Sequence, residues 1–190
     1  MPKNTTIRKL TSAGVIAALS FVAFTFLKIP MPGNMSAVHL GNAVVVLGAF
    51  LIGGFYGGLG GALGMVIADL MDANFIIYAP TTFILKLGIG LISGFIAHRI
   101  GKINQQSDQK KLFKWVLLAA MGGLIFNFIF SPLVNYFYNL LILGKPAAEL
   151  RLAYNIVASS INAVASTAVS VSIYLALRPA LKKSGFFDGF

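Results

Sequence analysis

Residues 44–71 read VVVLGAFLIGGFYGGLGGALGMVIADLM, and they decide the class of fold. The stretch is apolar and carries a single charge, Asp69. The uncharged segment GGFYGG at residues 53–58 predicts a tight reversal, so we expect two membrane helices joined as a hairpin. A charge in a membrane span is rare, costly and usually tied to function. Asp69, and Lys86 in the next apolar run, are therefore the first candidates for a site.

The composition extends this interpretation to the whole chain. It has 190 residues, 57% of them hydrophobic and 11% charged, and a mean hydropathy of +0.84. No soluble core of this size could bury so much apolar surface. We expect an all-α, multi-pass membrane protein with one domain, residues 1–190. Its six predicted spans, each near the ~20 residues that cross a bilayer, are residues 6–27, 38–55, 56–71, 78–98, 112–143 and 152–177.

Two features of these spans need comment. The first span follows a basic tail but lacks the small-residue cleavage site of a signal peptide, so we expect it to remain in the mature protein. Pro132 removes a backbone donor from the long fifth span and should kink it.

The basic residues orient the bundle. The N-terminal tail, the loop after the fourth span and the C-terminal tail share one side and contain Lys3, Arg8, Lys9, Arg99, Lys102, Lys110, Lys111, Lys114, Arg178, Lys182 and Lys183. The other side has only Lys28, Lys145 and Arg151. The positive-inside rule therefore predicts that both termini are cytoplasmic, and it accounts for the net charge of +10 without a nucleic-acid partner.

Polar residues gather in the outer half of the predicted bundle, many at helical spacing. We expect His39 and Asn42 to share one face of the second span, near Asp69 on the third. The fourth to sixth spans carry three stripes: Tyr78, Thr82 and Lys86; Asn127, Ser131, Asn135 and Asn139; and Asn155, Ser159, Asn162 and Ser166. Such residues either join helix to helix or line a polar pocket, and their concentration on one side favours the pocket.

The roles of the two buried charges and of His39 stay open. Asp69 and Lys86 form an ion pair with each other, contact a ligand, or do both if the ligand inserts beside the pair. A lone histidine at a helix start, such as His39, is more often an interfacial or core residue than a ligand contact. The rings of Tyr78, Phe83 and Tyr136 are available to stack on a ligand.

The role of the small residues is also open. The glycines between residues 53 and 64 indicate close helix packing. On the first span, Ala13 and Ala17 lie one turn apart beside Gly14 and Ala18. They form a flat surface that either packs within the bundle or binds another membrane protein.

The motifs of common enzymes are missing from the sequence. It contains no cysteine, HExxH, GxSxG or Walker A sequence, so we expect no enzymatic activity, metal or cofactor. If the chain transports, its energy comes from partners or from a gradient. A solitary gradient-driven carrier would need polar residues that continue to the cytoplasmic side, and the inner halves of the spans are mainly apolar and glycine-rich.

The segments HLGNA at residues 39–43, ADL at 68–70 and YAPTTFILK at 78–86, with the AxxxA pattern of Ala13 and Ala17, resemble the substrate-binding S components of energy-coupling factor (ECF) transporters. The resemblance covers nearly the whole chain. It implies a bacterial plasma-membrane protein that captures a water-soluble vitamin from outside, beneath a loop at residues 28–37. It also implies a transmembrane coupling subunit, docked at Ala13 and Ala17, and two ATPase subunits.

The polar stripes, the two charges and the resemblance together predict substrate-binding roles for His39, Asn42, Asp69, Tyr78, Thr82, Lys86, Asn127, Asn135, Tyr136, Asn155 and Asn162. Within the riboflavin-type superfamily the closest branch is the hydroxymethylpyrimidine and pyridoxine type, with pantothenate and riboflavin as alternatives. Members often carry aspartate where this chain has Asn42, and that departure bears on the choice of vitamin.

Overall fold

The structure is a computed structural model that describes residues 5–144 and 148–189. Six main helices account for most of this part of the chain: α1 (Thr5–Phe26), α2 (Gly41–Ile52), α3 (Gly54–Leu70), α4 (Ala79–Gly94), α5 (Gln109–Phe137) and α6 (Ala148–Lys183). Short π-helical segments, Phe95–Ile100 and Tyr138–Ile142, extend α4 and α5. The predicted all-α class is confirmed, and α5 continues past Pro132.

Large apolar side chains point outward on every long helix, as expected for a bundle surrounded by lipid. Examples are Val15 on α1, Ile84 on α4 and Val164 on α6, all more than half exposed. Four helical segments are long and apolar enough to cross a membrane, namely Thr6–Phe26, Ile76–Ile100, Gln109–Ile142 and Ala148–Lys183. Helices α2 and α3 are apolar but shorter, with 12 and 17 residues.

The segment between α1 and α2 forms a small β-hairpin, which the sequence analysis missed. Strands β1 (Lys28–Pro30) and β2 (Ala37–His39) pair antiparallel, with Lys28 opposite His39. The second helix, expected from about residue 38, therefore begins three residues later, at Gly41. The expectation that His39 and Asn42 share a helix face is wrong, because His39 lies on a strand that precedes this helix.

Helix α3 lies at the centre of one half of the bundle because glycines open three of its faces. Gly60 and Gly64 face the backbone of Ala13 and Ala17 on α1, whereas Gly57 and Gly61 face α2 and Gly54 and Gly58 face α4. A side chain at these positions would overlap neighbouring backbone or buried side chains. The predicted packing role of the glycines is confirmed, and this packing brings Asp69, near the end of α3, beside α4.

Replacing Gly57 by alanine should destabilise the fold. The added methyl group would overlap the backbone of Gly48 and Ala49, which cannot move aside like a flexible side chain. We expect a loss of about 1–3 kcal/mol, seen as a lower midpoint of thermal unfolding in detergent. The matched control is Gly14→Ala, where the new methyl group meets nothing within 4 Å. It should leave the midpoint unchanged or raise it, and equal losses in the two variants would contradict this packing.

Candidate functional site

An open cavity lies between the β-hairpin and the neighbouring ends of α3, α4, α5 and α6, with about 750 Å³ of space free of protein atoms when the solvent at its mouth is included. Ten of the predicted binding residues line it: His39, Asp69, Tyr78, Thr82, Lys86, Asn127, Asn135, Tyr136, Asn155 and Asn162. Asn42 does not line it and is fully buried in α2. Phe83 is likewise absent from the lining, so Tyr78 and Tyr136 are the predicted aromatic residues that reach it.

Asp69 and Lys86 are buried but do not pair with each other. Lys86 Nζ donates a hydrogen bond of 3.0 Å to Asn127 Oδ1. Asp69 Oδ2 has no hydrogen-bond partner among residues 5–144 and 148–189, and the hydroxyl of Thr82 lies beside the same carboxylate. The alternative of a structural ion pair between the two residues is therefore wrong. Both charges face the cavity with bonding capacity left over, and that is costly unless a ligand uses it.

The ion pair that does form within the described ranges lies at the edge of the cavity. Lys28 Nζ is 2.6 Å from Asp72 Oδ2, and its ammonium group also lies over the rings of Phe24 and Phe75. Burial raises the pKa of the Asp72 carboxyl, but hydrogen bonds from Lys28 and Asn74 and the Lys28 charge outweigh it and hold that pKa below its ordinary value of 3.8. This pair, the Lys28–Asp72 latch, ties the hairpin to the α3–α4 connection.

Asn162 fixes the other strand of the hairpin. Its Oδ1 accepts a 2.8 Å bond from the backbone N–H of His39, and its Nδ2 donates a 3.0 Å bond to the carbonyl of Ala37. The ring of His39 packs edge-on against Phe24, and its buried Nδ1 has no partner. The hairpin thus forms one wall of the cavity and is held by α6 on one side and by the latch on the other.

The asparagine stripes serve both of the roles that the sequence left open. Asn135 Oδ1 accepts a bond from Thr81, and Asn155 Oδ1 accepts bonds from Ser131 and Ser159, so the amides join α4, α5 and α6. Asn139 accepts a bond from Tyr78. The same residues line the cavity, so these helix contacts also fix the positions of the cavity's polar groups.

Nine lining residues were not among the predicted binding residues: Phe24, Met35, Ser36, Ala37, Met65, Phe75, Pro132, Arg151 and Leu152. Three of them, Met35, Ser36 and Ala37, belong to the loop at residues 28–37 that was expected to cover the site. Most of the nine are apolar or lie in the hairpin region, and the sequence does not distinguish them from other apolar or loop residues. The sequence did contain a feature that could have identified Arg151 as a lining residue. It lies four residues before Asn155, on the helix that carries the third polar stripe.

Of the two expected docking residues, Ala13 is buried and Ala17 is half-buried. Ala13 is 5% exposed, and its backbone lies against Gly60, as that of Ala17 does against Gly64. The neighbouring residues Gly14 and Ala18 are exposed instead.

This combination of apolar helices around a buried polar cavity at one end defines a multi-pass membrane protein with a ligand-binding site. Residues 4–179 match the model of the family described as ECF-type riboflavin transporter, S component. The chain belongs to this family. S components are substrate-binding subunits of vitamin-type uptake systems rather than enzymes, which accords with the cavity.

Curated relatives are similar over nearly their whole length. A UPF0397 protein of Streptococcus pneumoniae (strain Hungary19A-6) is 26% identical over 181 residues, which cover 95% of this chain and 94% of the relative. A UPF0397 protein of Lactococcus lactis subsp. cremoris (strain NZ9000) is 26% identical over 189 residues, 98% of each chain. No solved structure matches.

Proposed function

We propose that this chain is the substrate-capture subunit of an ECF-type transporter in the bacterial plasma membrane, with all six helices crossing the bilayer and both termini in the cytoplasm. The observation that carries the proposal is the cavity behind the hairpin, where Asp69 and Lys86 are buried without pairing. The family membership and the lining of amides and aromatic rings support a small polar substrate.

The substrate in this proposal is a water-soluble vitamin. The sequence resemblance ranks hydroxymethylpyrimidine and pyridoxine first, with pantothenate and riboflavin as alternatives. Asp69, Lys86 and His39 would bind the polar edge of the ring, and Tyr78 and Tyr136 would contact its faces. Native mass spectrometry of the purified chain should detect a bound compound of that class and identify it by mass.

Transport in this proposal needs partners: one transmembrane coupling subunit and two ATPase subunits. Vesicles that contain this chain alone should bind substrate without accumulating it, and accumulation should require the partners and ATP. Accumulation by the chain alone along an ion gradient would instead establish the solitary carrier.

We expect the coupling subunit to contact α1 at Gly14 and Ala18, since Ala13 is covered by α3. Small residues permit close approach between membrane helices. Replacing Gly14 and Ala18 together by leucine should reduce recovery of the partner complex by more than about tenfold. Vitamin binding by the isolated chain should stay unchanged.

The matched control for this surface is Ala168→Leu, at an exposed position on α6. It adds a similar volume to the lipid-facing surface and should leave the complex intact. Normal complex recovery with the double leucine variant, or equal loss with the control, would contradict docking at this face.

The Lys28–Asp72 latch should slow substrate release. Asp72→Asn removes the ion pair but keeps the side-chain shape, and a partly exposed pair is worth about 0.2–1 kcal/mol. We therefore expect release to quicken by a factor of about 1.4 to 5 in a stopped-flow displacement measurement. Lys28→Gln should give a similar change, and the double variant should add little further.

The latch should also depend on pH. Because the pKa of Asp72 is lowered in the fold, the pair's contribution is complete above pH 3.8 and is lost as the pH falls through the folded value. Release from the wild-type chain that quickens between pH 7 and pH 5, and not in Asp72→Asn, would contradict this assignment.

A further inference from the structure

Arg151 lies in the first turn of α6 and lines the cavity, but it has no charged partner among the described residues. Its Nε is buried without a hydrogen-bond partner. Its Nη1 lies 3.5 Å from the hydroxyl of Tyr78, at the long limit of a hydrogen bond. Glu149, two residues earlier, is exposed, and residues two apart do not face each other on a helix.

The positive charge of Arg151 is not balanced by a negative charge around the cavity among the described residues. At the edge, Lys28 is neutralised by Asp72. Further in, the positive charge of Lys86 is matched in number by the negative charge of Asp69. Among the described lining residues, Arg151 is the remaining full charge, so their total charge is balanced when the ligand carries one negative charge.

The positions of these groups along α4 set the shape of the ligand. Arg151 contacts Tyr78, the residue just before α4, and the backbone of Lys86 lies eight residues further on, roughly 12 Å along a helix axis. We therefore expect the acid and the group that meets Lys86 to lie at different ends of the ligand. A guanidinium group presents a planar fork of donors that fits the oxygens of a carboxylate or a phosphate.

We propose that the substrate carries a carboxylate or phosphate group that binds Arg151, at the end opposite the polar group that meets Asp69 and Lys86. This inference rests on the proposed capture function and narrows its substrate. Of the candidate vitamins, pantothenate has such an acid, and hydroxymethylpyrimidine and pyridoxine acquire one when phosphorylated.

The test compares acids with their neutral counterparts on the purified full-length chain. The probes are pantothenate against pantothenol, for a carboxylate, and pyridoxine 5′-phosphate against pyridoxine, for a phosphate. Equilibrium affinities are measured for the wild type, for Arg151→Gln and for Arg99→Gln, a control at an exposed arginine in the α4–α5 region. Unfolding midpoints without ligand verify that each variant is folded.

We expect one acid to bind at least tenfold more tightly than its neutral counterpart. Arg151→Gln should abolish that preference by lowering the affinity for the acid and leaving the affinity for the neutral compound unchanged. Arg99→Gln should preserve the preference. Equal binding of acid and neutral compound, or equal weakening of both by Arg151→Gln, overturns the inference and leaves the capture function standing. Failure of all four probes to bind a folded chain overturns the inference, whereas the capture function is contradicted only if hydroxymethylpyrimidine and riboflavin fail to bind as well.

Discussion

Replacing Asp69 by asparagine is expected to weaken substrate binding about 10- to 100-fold while the chain stays folded. The carboxylate is buried, lines the cavity and has an oxygen with no hydrogen-bond partner in the part of the chain that the structure describes. Hydrogen bonds to charged groups contribute about 1.5–3 kcal/mol, which sets the expected range. The amide keeps the shape of the side chain but loses the charge and one acceptor. Titration of the purified chain with its vitamin measures the effect.

Lys86→Met should cause a loss of similar size, because methionine keeps the length of the side chain but removes its donors. The matched control is Glu149→Gln, which removes an exposed carboxylate outside the cavity and should leave affinity unchanged. Since Asp69 and Lys86 are not paired, the second substitution should not rescue the stability of the first. Restored stability in the double variant, with unchanged vitamin affinity throughout, would show that the two charges only hold each other.

Replacing Asn162 by leucine is expected to have the second large effect. This amide satisfies the backbone N–H of His39 and the carbonyl of Ala37, and leaving a buried polar group unsatisfied costs about 1–3 kcal/mol. With both bonds lost, strand β2 should detach from α6. We expect a lower unfolding midpoint and substrate release faster by about tenfold or more.

The control for Asn162 is Ser160→Ala on the same helix. Ser160 bonds only to the carbonyl of Ile156, one turn earlier, so its loss should leave the hairpin in place. Hydrogen exchange at the amide of His39 reports the detachment directly. Wild-type exchange and wild-type release in Asn162→Leu would contradict the hairpin's role as a wall of the cavity.

The sequence predicted the packing and most of the cavity lining for a physical reason. Glycines on several faces of one helix permit close contact with three neighbouring helices, which places that helix at the centre. Asparagines at helical spacing are expected to face the interior of the bundle and not the lipid. Those patterns are local, and they identified α3 and the stripes of α5 and α6. The presence of Asp69 and Lys86 in one cavity also followed from their positions near a short connection.

What the sequence could not predict depends on tertiary geometry. Spacing along a helix does not give its rotation, so Asp69 seemed as able to pair with Lys86 as to face a ligand, and Asn42 seemed as near the cavity as His39. The β-hairpin was missed because Val38 extends an apolar run. Its pairing depends on Asn162, more than 120 residues away. The role of Ala13 in packing likewise appears only when α3 is placed against α1.

The central claim is that this chain captures a vitamin by itself. The most direct measurement is equilibrium binding to the purified chain, without partner subunits or ATP, of hydroxymethylpyrimidine, pyridoxine, pantothenate, riboflavin and the phosphorylated pyrimidine and pyridine forms. We predict saturable binding of one of these compounds in the nanomolar to micromolar range, one molecule per chain, weakened by Asp69→Asn. Absence of saturable binding for every compound, with a folded chain, would contradict the account.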